Sequence, residues 1–321
     1  MQRLVTVFGG SGFIGRYAVR ALAKQGWRIR VAAREPHLAP ELKVMGDVGQ
    51  VELVQANVRN EASVRSALAG AQACVNLVGV LFEAGRQTFD AVHASAPGLI
   101  AAAAAEAGAT QFVQVSAIGA DPNAKAAYAR TKAAGEAAVR AAFANAVVLR
   151  PSVVFGPEDD FFNRFGAMAA ISPALPLIGG GETRFQPVYV GDVGSAIVAS
   201  LAQEAAAGRT FELGGPGVYT FKALLELLCR ETMRHRLLLP IPFPVAGLLG
   251  KVGDVQAKLR LAPQITSDQV ELLKSDNVAN SALPGLADLG VAPTAVDAVL
   301  PTYLWRFRRG GQFAQPESAS A

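Results

Sequence analysis

The feature that most limits what this chain can become lies within its first sixteen residues. Leu4-Val-Thr-Val-Phe8 runs straight into Gly9-Gly-Ser-Gly12-Phe-Ile-Gly15-Arg16. An unbroken apolar and β-branched run reads as a buried strand, the glycines as a tight turn, and the alanine-rich amphipathic stretch beyond them as a helix. Each glycine has its own task in such a turn. Gly9 supplies backbone angles denied to residues with a Cβ, Gly12 lets main chain approach a pyrophosphate, and Gly15 lets the helix lie close on the strand. The helix start then offers unpaired N–H groups and the positive end of its dipole to phosphate. Glycine-rich turns are common, and it is the strand before and the helix after that favour a dinucleotide site over a structural turn. Gly9, Gly10, Ser11, Gly12, Phe13, Ile14, Gly15 and Arg16 are therefore candidate binding residues.

The same alternation continues to about residue 150. Strands are predicted over Trp27–Ala33, Val51–Gln55, Ala73–Val78, Gln111–Val115 and Val147–Leu149, with helices over Tyr17–Gln25, Ser63–Leu68, Phe89–Ala107 and Tyr128–Phe143. This pattern predicts an α/β fold with a Rossmann-type, doubly wound parallel sheet over residues 1–150. Beyond Pro151 the alternation loosens. A smaller C-terminal substrate lobe is predicted over 151–314, with some elements returning to the sheet, and a disordered tail over 315–321. The 321 residues are 51% apolar and 17% charged, enough for a large core. A net charge of +4 with dispersed arginines does not favour nucleic acid. Cys74, Cys229, His37, His93 and His235 stand singly, so neither a disulfide framework nor a metal site is predicted. Met1 leads directly into the first strand, which leaves no room for a cleaved signal peptide and points to a cytoplasmic protein.

Two further groups of residues carry chemistry. Arg34 ends the second predicted strand, where an acidic residue would favour NAD and an arginine would meet the 2′-phosphate of NADP. Glu35 follows at once, and Arg16 lies near the same corner. Two guanidinium groups suit a phosphate, so NADP(H) is preferred with NAD(H) possible. The alternative is that Arg34 is a solvated surface residue. Tyr128 and Lys132 stand four apart on one helical face, where the ammonium would favour phenolate and bring the tyrosine toward neutral-pH proton exchange. Ser116, closing the fifth predicted strand, is placed to hydrogen-bond a substrate oxygen. A lone Tyr-x-x-x-Lys is also compatible with a plain helix surface.

Two C-terminal stretches are less decided. Leu237–Gly250 is apolar but broken by Pro240, Pro242 and Pro244, so it is too short and interrupted for a spanning helix. It is predicted as a buried loop and short helix lining a pocket, with a membrane- or partner-facing patch as the alternative. Tyr303-Leu-Trp-Arg-Phe-Arg-Arg309 interleaves aromatics with arginines, which suits a membrane interface, an anionic partner or an ordinary amphipathic helix end.

Taken together, these motifs resemble the extended or atypical short-chain dehydrogenase/reductases of the NAD-dependent epimerase/dehydratase superfamily. The matching pieces are the glycine array, Asn76-Leu-Val-Gly79, Ser116, Tyr128-x-x-x-Lys132, Leu149–Pro157, Phe185–Val193 and Phe211–Pro216. The resemblance implies a general acid/base role for Tyr128. Lys132 would bind the nicotinamide ribose and Ser116 would orient substrate. It also brings Asn57, Val58, Val78, Gly79, Tyr128, Lys132 and Pro151 into the cofactor-binding set. Arg16-Tyr17, Tyr128–Glu136, Phe155–Asn163 and Gln186–Val190 are similar to the accessory subunit of respiratory complex I with this fold and to its bacterial relatives. That likeness implies an NADP(H)-holding protein beside a membrane complex or ubiquinone-linked system, peripheral on the inner membrane. The alternative is an active reductase, epimerase or dehydratase on a small substrate. Two departures stand out. Ser116 precedes Tyr128 by twelve positions (128 minus 116), a shorter gap than sugar-nucleotide epimerases leave. Asn57 occupies a place where aspartate is common, and its amide can still accept and donate.

Overall fold

The computed structural model describes residues 3–314. The predicted tail at 315–321 lies outside the described residues.

Seven parallel strands form the central sheet. In chain order, the amino-terminal part contains β1 (Leu4–Phe8), α1 (Phe13–Lys24), β2 (Arg28–Ala33), β3 (Val51–Gln55), α2 (Glu61–Leu68) and β4 (Ala73–Asn76). A π-helical turn over Asp90–Ser95 runs directly into α3 (Ala96–Glu106), followed by β5 (Gln111–Val115), α4 (Ala127–Ala142) and β6 (Val147–Pro151). The one long helix predicted over Phe89–Ala107 is thus two helical forms in series. The widened π turn places His93 on the buried side of the segment.

The second half of the chain contributes β7 (Val154–Phe155), α5 (Phe161–Ile171), β8 (Ala174–Ile178), β9 (Arg184–Phe185), β10 (Val188–Tyr189) and α6 (Val190–Ala202), the last packed on the sheet core. It continues with β11 (Thr210–Leu213), β12 (Tyr219–Thr220), α7 (Phe221–Glu231), β13 (Leu237–Ile241), α8 (Phe243–Lys258) and α9 (Ser267–Leu272). The sheet order is β11-β6-β5-β4-β1-β2-β3, so β11 returns from the far half of the chain to pair with β6. Strand order reverses between β1 and β4, and their carboxyl ends define the crevice in which such sheets bind ligands.

Residues such as Val5, Val7, Ile29, Val31, Val75 and Leu149 are fully or almost fully buried because helices cover both sheet faces, which explains strands that are apolar without alternation. A separate lobe core gathers Phe155, Phe162, Leu175, Leu224, Leu228, Leu300 and Leu304.

The two undecided C-terminal stretches exchange characters. Leu237–Gly250 is no buried loop with a short helix. It forms β13, paired with β8, and then the sixteen-residue α8. The prolines sit where they do no harm: Pro240 is in a strand of a two-stranded sheet, Pro242 is the N-cap and Pro244 lies in the first turn. Helix α8 packs inward through the small residues Ala246, Gly250, Gly253 and Ala257. A Cβ on Gly253 would stand 1.8 Å from the Ile265 carbonyl oxygen, so this face admits nothing larger. The large residues Val245, Leu248, Leu249, Val252, Val255 and Leu259 all point outward. The aromatic–arginine stretch, in contrast, is largely used within the fold. Tyr303 and Leu304 are buried, the Tyr303 hydroxyl donates to Asp159, and Phe307 packs on Gly166. Arg306 donates to Pro157 O and Asn163, and Arg308 to Glu231 O.

Candidate functional site

The glycine turn leaves β1 at the topological switch point. Gly9 has φ +77°, and a Cβ there would lie 3.1 Å from the backbone of Leu77 and Val78 after β4. A Cβ on Gly15 would stand 2.3 Å from Gly9 O, so this glycine sets the close approach of α1 to the turn. Gly10 packs under Val7, Val19 and Val31. Gly12 differs: a Cβ there would meet just Gly9 O, at 3.4 Å. Nothing among the described residues requires glycine at Gly12, so its open side is available to a ligand. Gly12 is also the N-cap of α1, with no side-chain cap and no acidic residue in the first turn, and Arg16 N–H is bonded back to Gly12 O. The amino end of α1, carrying Phe13 and Ile14, therefore keeps its positive dipole end uncompensated by the protein. These observations fit a dinucleotide pyrophosphate.

At the carboxyl ends of β2 and β3, Arg34, Glu35, Gln55, Ala56, Asn57, Asn60 and Ser63 line an open cleft of about 480 Å³. Arg34 is exposed, with its carbonyl accepting from Gln55 Nε2 at 3.3 Å. Asn57 spends its groups on the local turn, accepting from Arg59 N–H and donating its own N–H to Ser63 Oγ. Val58 turns toward the core under α2. Arg16 faces Glu41 at 3.4 Å, and its Nε is buried without a partner. The two arginines read together from sequence thus differ in state: Arg34 is a cleft wall, while Arg16 already has a carboxylate.

The other end of the crevice gathers residues far apart in sequence. A Cβ on Gly79 would lie 3.3 Å from Lys132 Nζ and 3.6 Å from His93 Nε2, which puts the loop after β4 against both. Val78 N–H donates to Asn76 Oδ1, fixing that loop. Pro151 closes β6, with its carbonyl accepting from Ile118 N–H just beyond Ser116. Ser116 is buried, and its Oγ has no partner. Tyr128 and Lys132 lie on α4, with Nζ 5.6 Å from the centroid of the phenol ring. Close packing of α4 on the π turn requires Gly135, where a Cβ would stand 1.9 Å from His93 O.

The titration of this cluster departs from the sequence expectation. Tyr128 is not brought toward neutrality: burial pushes its phenol up to about 12, and the Asp268 carboxylate adds to the shift. Lys132 is lowered to about 8 by burial, with Glu136 opposing. The physical reason is that desolvation penalises both charged forms more than the cation beside the ring assists the phenolate.

His93 is the residue that sequence reasoning missed. As one of three scattered histidines it carried no motif. In the structure it stacks on Phe89 at 5.2 Å, meets the Tyr128 ring edge-on at 5.1 Å, and accepts Val80 N–H through Nε2 at 3.0 Å. Burial and the nearby Lys132 lower its pKa to about 3, so the imidazole is neutral. Asp268, also unflagged by any motif, accepts from Ala127 N–H and Tyr128 N–H. No spacing rule could have found contacts that span 140 and 141 positions.

The sheet order, the glycine turn at its switch point and the Ser–Tyr–Lys set define a class, the Rossmann-fold short-chain dehydrogenase/reductases. A model described as the NAD dependent epimerase/dehydratase family matches residues 5–214, and the chain belongs to that family. It is 37% identical over 319 residues to the mitochondrial NADH dehydrogenase (ubiquinone) 1 alpha subcomplex subunit 9 of Arabidopsis thaliana, with 96% of this chain and 79% of the relative covered. A 40 kDa subunit of mitochondrial NADH-ubiquinone oxidoreductase from Neurospora crassa is 31% identical, over 97% of this chain and 81% of that one. A ceramide reductase of Caulobacter vibrioides is 33% identical over 196 residues, 61% of this chain and 60% of the relative. Among solved structures, the UDP-glucose 4-epimerase of Thermotoga maritima superposes with a TM-score of 0.70 at 18% identity, covering 95% of this chain and 98% of the other. That likeness supports the fold.

Proposed function

We propose that this protein holds NADP(H) at the glycine turn as a tightly bound structural or regulatory ligand, within a membrane system that handles quinone. The observation that carries the reading is Gly12: an uncapped helix start with an open approach, at the switch point, where the protein has no use of its own for glycine. Gly12, Phe13 and Ile14 would receive the pyrophosphate, Arg34 the 2′-phosphate, and Lys132 a nicotinamide ribose hydroxyl. A bound NADP(H) supplies hydride chemistry; the residues around it set whether that chemistry can be used. With its phenol held near 12, Tyr128 is a poor proton exchanger at neutral pH, which favours holding over turnover. Bound ligand would stabilise the fold by mass action without any hydride moving.

The outward stripe of α8 supports a peripheral place on a membrane. Val245, Leu248, Leu249, Val252, Val255 and Leu259 recur at three- and four-residue spacing, with the exposed Lys251, Lys258 and Arg260 beside them. That combination suits an interfacial helix on anionic lipid. No helix among the described residues is long and apolar enough to cross a membrane. In flotation with anionic vesicles, Leu248→Glu is expected to reduce the bound fraction; equal flotation of the variant would remove the membrane reading.

The second reading is an active reductase or epimerase. It is favoured by the unpartnered Ser116 Oγ in a site with intact Tyr128 and Lys132. Mass spectrometry of the denatured protein, as isolated, tests the main reading. NADP(H) near one equivalent is expected, and protein free of any dinucleotide would sink it.

A further inference from the structure

We propose that Asp268 is a positioning residue for Tyr128: from the lobe, its carboxylate clamps the amino end of the tyrosine helix and places a negative charge there. The proposal rests on the reading of Tyr128 as the tyrosine of the site, and its starting point is a gap in local structure. Helix α4 begins after Ala126, which has no side chain to cap it, and its first turn contains no acidic residue. The first amides of a helix have no intrahelical acceptor, so those of Ala127 and Tyr128 need one from elsewhere. Asp268 Oδ1 accepts from Ala127 N–H at 2.6 Å, and Oδ2 accepts from Tyr128 N–H at 3.0 Å. One carboxylate thus supplies from the other half of the molecule the cap that the local sequence omits.

Asp268 is itself held in place. Thr266 and Gln269 form a reciprocal capping box at the start of α9. Gln269 Nε2 also donates to Leu81 O at 3.3 Å, so α9 grips the loop after β4 as well as the start of α4. Ser267 N–H donates to Asp254 Oδ1 on α8 at 3.1 Å, and Gly250 and Gly253 bring α8 close enough for that bond. The clamp is therefore continuous with the helix that carries the outward apolar stripe.

The charge has its own consequence. An open helix start would favour phenolate at Tyr128, and the Asp268 carboxylate opposes it. The groups facing the tyrosine are Lys132 on its own helix, the neutral His93 and apolar Phe89 from the π-helical region, and Asp268 from α9.

Two measurements on the full chain as isolated test the proposal, with nucleotide content quantified in parallel. The first is amide hydrogen exchange at residues 127 and 128, expected to be about tenfold faster in Asp268→Ala and partly restored in Asp268→Glu. The second is a titration of the Tyr128 resonance in 13Cζ-tyrosine-labelled protein, assigned by its loss in Tyr128→Phe. Asp268→Asn, which keeps shape and removes charge, is expected to lower the midpoint by about one pH unit. Asp268→Glu should keep the midpoint near the wild-type position; a midpoint that falls when the charge is removed and stays when it is kept is an outcome a merely structural contact would not produce. If Asp268→Ala does not fold, the exchange comparison is made on Asp268→Asn. Unchanged exchange, or an unchanged midpoint in Asp268→Asn, overturns the proposal. Absence of bound nucleotide would count against the dinucleotide reading alone, since neither readout requires it.

Discussion

The two ends of the crevice are built on opposite principles. At the glycine end, the strand, turn, helix start and Arg16 come from one continuous segment, Leu4 to Lys24, with Arg34 just past the end of the next strand. The cleft beside Arg34 is open, and its lining is mostly polar. At the tyrosine end, Gly79, His93, Ser116, Lys132 and Asp268 come from five separate segments, and most of them are buried. Phosphate recognition needs backbone amides and exposed cations, which a short segment can provide. Control of a phenol requires burial and placed charge, which only packing from several directions can provide.

Substitutions can break this comparison. The largest effect is expected at Gly12. Gly12→Ala adds a Cβ that meets, among the described residues, only Gly9 O at 3.4 Å, and it starts from the ordinary N-cap angles φ −78°, ψ 180°. Dinucleotide affinity should fall on the order of a hundredfold, about 2.7 kcal/mol, while the melting temperature of ligand-free protein stays put. A matched loss of stability would mean that Gly12 serves the fold, and the glycine end would lose its claim to be a ligand site. Arg34→Ala sharpens the cofactor choice. Loss of a charge-assisted contact should weaken NADPH by about 2 kcal/mol, roughly thirtyfold, with NADH affinity nearly unchanged. Equal affinities for NADPH before and after would refute the 2′-phosphate assignment.

The smallest effect belongs to the tyrosine end and concerns pH. His93 is held neutral in the fold down to about 3, whereas an unfolded histidine protonates near 6.5. As pH falls below that value the unfolded chain takes up a proton that the folded chain refuses, so stability is full above it and declines below it. Between pH 7.5 and 5.5 the His93 contribution should cost about 1.4 kcal/mol. Urea unfolding of His93→Gln, which retains an acceptor for Val80 N–H, should lack that portion of the decline. Identical pH dependence in the two proteins would show that His93 is not the buried titrating group.

Much of the fold was legible because its signals are local. The strand Val51–Gln55 was read with the bounds it has, and β1 and the glycine turn follow directly from residue type. The π turn was not read, because Asp90–Ser95 itself contains no helix breaker and its one local cause, Pro97 with no N–H to give the His93 carbonyl, lies just beyond it. The two C-terminal stretches show a different limit. Leu237–Gly250 is apolar and carries no charge, Tyr303–Arg309 interleaves aromatics with arginines, and composition marked the aromatic–arginine one as the better membrane candidate. Packing decided otherwise. Small residues let α8 bury its narrow face and leave the leucines and valines outside, while Tyr303 found a buried carboxylate in Asp159.

By itself, the sequence determined the α/β architecture and the strand, glycine turn and helix start at the head of the chain, because periodicity and glycine stereochemistry act over a few residues. The tertiary structure alone decided which charges face Tyr128, that His93 is neutral, that Arg16 meets Glu41 and that α8 turns its apolar side outward. Those are matters of desolvation and of contacts between segments a hundred or more positions apart in the extreme case of Asp268, and neither quantity exists until the chain has closed on itself.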